Sequence, residues 1–159
     1  MKQTPQKQIA NDAIKAWQIS ASIQLSIGIL IGIIILILGN VFSFSYWYGI
    51  GFFGLDIILG TITIFIIPKL RWRRWRYEIF DQEIYIQYGI LIVTRTLVPM
   101  ARVQHVDTKQ GPILKKYDLA SLTISTAATV HEIPALLEHE AYGLRDQISE
   151  LARVEQDDV

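Results

Sequence analysis

A chain of 159 residues with 51% apolar residues, 19% charged residues and a mean hydropathy of +0.30 is too apolar to be a disordered tail. Its length fits one small domain plus segments that need no core of their own. The 15 Lys and Arg cancel the 15 Asp and Glu, yet residues 1–15 carry +2, 16–68 carry −1, 69–77 carry +5 and 78–159 carry −6. Cysteine is absent, which excludes disulfide frameworks, thiolate metal sites and Cys nucleophiles.

Residues 1–16 read as a polar lead-in on the cytoplasmic side. From Ala16 to Leu55 there is no charged residue, and this stretch is too long for one span, which needs about 20 residues. It divides at Gly39-Asn40, near Ser43 and Ser45. The expected elements are a first transmembrane helix over 17–38, a short extracytoplasmic loop over 39–46 and a second transmembrane helix over 47–68. Trp17, Tyr46-Trp47-Tyr48, Trp72 and Trp75 fall where the two interfaces belong. Lys2, Lys7 and Lys15 precede the first span, and Lys69, Arg71, Arg73, Arg74 and Arg76 follow the second, while the loop has no cation. The positive-inside rule therefore predicts a multi-pass plasma-membrane protein with both termini in the cytoplasm. The apolar run is too long for a signal peptide, and no small-residue cleavage site follows it.

Asp56 stands inside the second span, about 13 Å from Trp47 and about 20 Å from Lys69 along a helix. A central Asp opposes insertion by ~2.5–3.5 kcal/mol, and the surrounding Ile, Leu and Phe outweigh it. An intramembrane carboxylate points to a proton relay, a partner contact, or a protonated side chain hydrogen-bonded through Ser22, Ser26 or Thr61. Gly28 and Gly32 form a GxxxG pattern that admits another helix closely. Asp56, Gly28 and Gly32 are the expected membrane and assembly residues.

The basic juxtamembrane segment 69–76 leads into alternating sequence. Tyr77 and Ile79, then Ile84, Ile86 and Tyr88, flank Asp81-Gln82 as a hairpin, and Gly89 marks the next turn. Leu91–Val98 reads as a third strand stopped by Pro99. A fourth runs through Val103, His105-Val106 and Thr108 to Gly111-Pro112. Leu119–Ser125 is a fifth with Leu122 and Ile124 inward, and Val130–Ile133 a sixth before Pro134. Leu137, Ala141, Leu144, Ile148 and Leu151 then mark an amphipathic helix over 135–154, followed by a tail, 155–159, expected to fray. The domain is thus expected over 77–154, with Ile79, Ile84, Ile86, Val98, Val103, Leu122, Ile124 and the helix stripe as its core.

The run Arg73-Arg74-Trp75-Arg76-Tyr77-Glu78-Ile79 followed by Gly89-Ile90 resembles the opening of the bacterial pleckstrin-homology-like (bPH) domain. Later blocks continue the likeness: Arg95-Thr96-Leu97-Val98-Pro99-Met100-Ala101-Arg102-Val103-Gln104-His105-Val106, Gln110-Gly111-Pro112-Ile113-Leu114, Tyr117-Asp118-Leu119-Ala120 and Ser125-Thr126-Ala127. With the preceding hairpin, the chain from about residue 17 to 151 resembles the YdbS-like membrane proteins. Asp118 departs from the pattern, which often has Gly there, and a turn with positive φ tolerates Asp. The resemblance implies a membrane α-helical hairpin of two transmembrane helices plus a small β-rich PH-like barrel or sandwich with one C-terminal helix. It also implies a non-enzymatic membrane component, often accompanied by a larger relative with several such domains, and a link in some relatives to protection against membrane-active peptides.

No catalytic residues, metal ligands or cofactors are expected. His105, His131 and His139 are scattered, no nucleophile elbow occurs and no phosphate loop is present. Lys69, Arg71, Trp72, Arg73, Arg74, Trp75 and Arg76 are read as lipid or interface contacts rather than a nucleic-acid site, because they directly follow a span. Arg102, Lys109, Lys115 and Lys116, with Ile113 and Leu114 as an apolar loop tip or as packed core, form a second candidate surface for a partner or head groups. The leading expectation is a structural or adaptor subunit of a membrane complex, contacting lipid and a membrane protein of the same family, a second copy, or both. An anionic-lipid sensor, and a subunit of an oligomeric transporter or peptide exporter working through Asp56, are the alternatives.

Overall fold

The computed structural model describes residues 5–42 and 45–157. Helix α1 (Ala13–Phe42) runs for 30 residues, about 45 Å, without interruption. It passes through Gly39-Asn40, so the expected break there does not occur, and Ser43 lies outside the described residues. Helix α2 (Trp47–Thr61) continues through a π-helical turn (Ile62–Ile66) into α3 (Ile67–Arg74). The wide turn has a cause in the sequence. Pro68 has no N–H to give to the carbonyl four residues back, and its ring crowds that carbonyl, so the preceding turn opens. The Ile67 amide accordingly reaches back five residues to the Ile62 carbonyl. The helix does not end at Pro68, and the cations up to Arg74 are helical.

Two apolar helical segments, Ala13–Val41 and Trp47–Arg74, are long enough to cross a bilayer, and only 11% and 6% of their most apolar windows are buried within the protein. That exposure excludes a soluble core helix, which would be enclosed on most sides.

The remainder is a β-rich domain of two three-stranded antiparallel sheets. Strands β1 (Arg76–Ile79), β2 (Glu83–Tyr88) and β3 (Thr94–Pro99) form the first in meander order. The register Tyr77↔Ile86 and Ile84↔Val98 places these four side chains on the buried face. A 3₁₀ turn (Met100–Arg102) with Met100 fully buried leads to β4 (Val103–Lys109), a one-turn helix α4 (Pro112–Lys115), β5 (Leu119–Thr126) and β6 (Val130–Leu137). Helix α5 (Glu138–Asp157) then lays Ala141, Leu144, Ile148 and Ala152 against the core. This is the PH-like arrangement the resemblance implies.

Four boundaries differ from expectation. Strand β3 begins at Thr94, leaving Leu91 and Ile92 in the preceding loop. Strand β6 runs past Pro134, because the proline sits on an edge strand at a register shift opposite Ala120–Leu122, where a missing N–H breaks no regular ladder. Helix α5 therefore starts at Glu138 rather than Ala135, and it stays helical to Asp157, into the tail expected to fray. Asp118, at φ 51°, occupies the left-handed turn anticipated for it, and Ala135 has the same φ beside the bulge.

The N-terminal segment is part of the domain rather than a separate lead-in. The Tyr77 amide donates to the Lys7 carbonyl at 2.9 Å and the Ala10 amide to the Ala135 carbonyl at 3.1 Å. Residues 7–10 thus touch β1 on one sheet and β6 on the other, and Ile9, Ala13 and Ala16 are in the core.

Candidate functional site

The hairpin seam is built from small residues facing large ones. Gly28 of α1 faces Asp56, Gly32 faces Phe53 and Phe52, and, from the other helix, Gly49 faces Leu36 and Gly60 faces Leu25. Leu25, Gly28, Gly32 and Leu36 recur at spacings of three and four, as do Gly49, Phe53, Asp56 and Gly60, so each set is one helix face. A Cβ on Gly28 would lie 2.7 Å from the Asp56 carboxyl carbon, and one on Gly32 would lie 2.9 Å from Phe53 Cζ. The helix that approaches the GxxxG pattern is therefore α2 of the same chain. Close approach, not hydrophobic drive, is what such a seam offers in lipid.

Asp56 Oδ2 is buried without a hydrogen-bond partner. The hydroxyls expected to reach Asp56 bond their own helices instead: Ser22 donates to the Gln18 carbonyl, Ser26 to the Ser22 carbonyl and Thr61 to the Ile57 carbonyl, at 2.8, 2.9 and 2.8 Å.

Below the seam, α1 and α3 meet the domain in a collar of aromatic and basic side chains. The Arg71 guanidinium stacks 4.4 Å from the centre of the Trp17 ring. Trp72 Nε1 donates to the Ile9 carbonyl at 3.2 Å, while Gln8 Nε2 donates to the Trp72 carbonyl at 3.1 Å. Trp75 is buried and stacks on Tyr88 at 5.5 Å. The Trp75 ring is thus spent on the domain core, and Trp72 is tied to the N-terminal segment. Lys69, Arg71, Arg73 and Arg74 remain exposed at the foot of the helix, with Arg76 half-buried.

The second basic group is spread over the 3₁₀ turn, β4 and the end of α4. Arg102 and Lys109 flank the ends of β4, about 20 Å apart at strand rise. Lys115 and Lys116 are exposed beside α4, which packs against α1. Ile113 and Leu114 are half-buried against the core, so of the two readings open for them the packed one holds.

Arg102 instead borders a cleft of about 500 Å³ between β3 and the β5–β6 turn, together with Leu97, Pro99, Ala101, Ala127 and His131. Strand β3 is the end strand of its sheet, paired among the described residues with β2 alone. Two other sheet ends carry backbone contacts, β1 from Lys7 and β6 from Ala10, and α5 packs against β4. Sequence reasoning placed β3 but not its position at an open edge, because edge status depends on which strands pair, a tertiary property.

A family model described as a bacterial PH domain matches residues 18–152. The chain belongs to that family. This bacterial PH domain protein is also 53% identical, over the full length of both chains, to the UPF0699 transmembrane protein YdbS of Bacillus subtilis (strain 168). The UPF0699 transmembrane protein YdbT of the same organism is 30% identical over 83 residues, which are 51% of this chain and 17% of that protein. No solved structure matches. The family and the two apolar helices together make this a transmembrane PH-domain protein.

Proposed function

We propose that this protein is a non-enzymatic, membrane-anchored adaptor, which offers the β3 edge and its adjoining cleft to a second membrane protein. The observation that carries the reading is the asymmetry of the edges: the N-terminal segment hydrogen-bonds to β1 and to β6, while among the described residues β3 has no backbone partner beyond β2. An open edge is a template for an added strand, with main-chain hydrogen bonds giving affinity and side-chain pockets giving selectivity. Leu97 is exposed at 40% on that edge, and the cleft beside it has room for side chains of the added strand. The similarity of YdbT, a much longer protein matched along 17% of its length, makes a larger protein of this family the first partner to test. The family and relative names describe membrane proteins with PH domains and support the non-enzymatic reading.

Contact between residues 7–10 and the domain supports both termini lying on one side of the membrane, and the basic foot of α3 supports that side being the cytoplasm. A role in protection against membrane-active peptides would be exerted through the assembled complex. The test is mild-detergent purification from native membranes by a C-terminal tag. A larger family member should co-purify in fixed ratio and be lost on Leu97→Lys, with the variant still folded. Recovery of the tagged chain with only itself and lipid overturns the adaptor reading.

A further inference from the structure

The loop between β2 and β3 carries the most exposed large apolar side chains among the described residues: Leu91 at 91% and Ile92 at 82%, above any residue of the two spans. An apolar pair held out so fully needs an occupant, and its place in the fold says which. Strand β1 starts directly after α3, Arg76 pairs with Gln87, and Trp75 stacks on Tyr88. Gln87 Nε2 also donates to the Arg74 carbonyl at 3.5 Å. The end of β2, and the loop beyond it, therefore lie at the edge of the domain where the helix leaves the membrane. The opposite turn, Asp81-Gln82, lies at the far end of the same sheet.

The loop is shaped rather than slack. Gly89 has φ +128°, and the Ile92 carbonyl folds over it so closely that a Cβ would collide with that backbone oxygen. Exposed cations lie near the base of the loop: Arg74, whose carbonyl accepts from Gln87, and Arg95, whose Nε donates to Gln87 Oε1 at 3.0 Å. An apolar point with cations at its base fits the boundary between anionic head groups and acyl chains.

The distances allow it. Helix α3 rises about 12 Å over its eight residues from Ile67. A two-residue excursion from Gly89 can reach at most about 7 Å, and the head-group layer of one leaflet is about 5–7 Å deep.

We propose that Leu91 and Ile92 insert into the head-group layer of the leaflet from which α3 emerges, making a third membrane contact that fixes the tilt of the PH-like domain. The proposal rests on the two-span reading of α1 and α2–α3. Because the chain lacks cysteine, single-cysteine variants of the full chain can be labelled with a polarity-sensitive fluorophore and reconstituted in vesicles of phosphatidylglycerol and phosphatidylethanolamine containing a lipid-borne quencher. Leu30→Cys reports the span, Leu91→Cys the loop and Asp81→Cys the distal turn. The expected result is a blue shift and quenching at Leu30 and Leu91, with neither at Asp81. Quenching at Leu30 while Leu91 behaves like Asp81 overturns the loop proposal and leaves the spans intact. Failure of quenching at Leu30 overturns the span reading and the loop proposal with it. A blue shift at Leu91 without quenching means that protein covers the tip, and this also overturns the proposal.

Discussion

Gly28 is where a single methyl group carries most information, since its Cβ would fall on the Asp56 carboxylate, whereas Gly51 and Gly54 have nothing within 4 Å. Gly28→Ala should weaken the hairpin by about 1–3 kcal/mol, as overpacking does, read as a lower unfolding temperature in detergent. Gly54→Ala should be neutral, and Asp56→Ala should restore the Gly28→Ala variant. Failure of that rescue would mean that the two side chains do not meet. Tyr77 makes a second prediction. Burial, helped by Glu140, raises its phenol from 10.0 to about 12. Between those values the native state keeps a proton that the unfolded chain has lost, so stability falls as pH rises through that window and is unaffected by this group below it. Tyr77→Phe should flatten the decline in melting temperature above pH 10, and an unchanged decline would refute the assignment. Single residues were partly legible in the sequence. Asp56, Gly28 and Gly32 stood out by chemistry and spacing, and Asp118 by its place in a turn. Their mutual contact was hidden, because the register of two antiparallel helices is not written in either one.

At the scale of elements, period and punctuation carried most of the fold. Alternation located β1, β2, β4 and β5, and the three-and-four spacing located α5, because each buries one face. The errors fell where tertiary context outweighs local signal. Leu91 and Ile92 resemble strand, but Gly89 turns them outward. Ile113 and Leu114 fitted either an exposed tip or a packed position, and the packing of α1 on α4 decides between them. The N-terminal segment was the larger omission: Ile9, Ala13 and Ala16 already show helical spacing of four and three, yet Lys7 and Lys15 around them read as a polar lead-in. Ile9 is 2% exposed in the core, so Ile9→Ala should cost the domain about 2–5 kcal/mol. Denaturant unfolding followed by near-ultraviolet circular dichroism measures this loss. A change below about 0.5 kcal/mol, the usual range for a surface site, would remove the segment from the core.

Over the whole molecule, the hairpin, the collar and the domain are one continuous packing. Trp72 and Gln8 tie the foot of the second span to the N-terminal segment, and that segment in turn touches both sheets. Position in the membrane is thereby coupled to the orientation of the domain. The N-terminal segment meets β1 and β6, while β3 has no recorded partner beyond β2 among the described residues, and the proposed adaptor role rests on that difference. The central claim is tested most directly by placing a photo-crosslinking residue at Leu97 in living cells, with one at Glu150, on the exposed face of α5, as the control. The account predicts a defined crosslink from Leu97 to a larger membrane protein of the same family and none from Glu150. Equal labelling from the two sites, or no protein crosslink from Leu97, would contradict it.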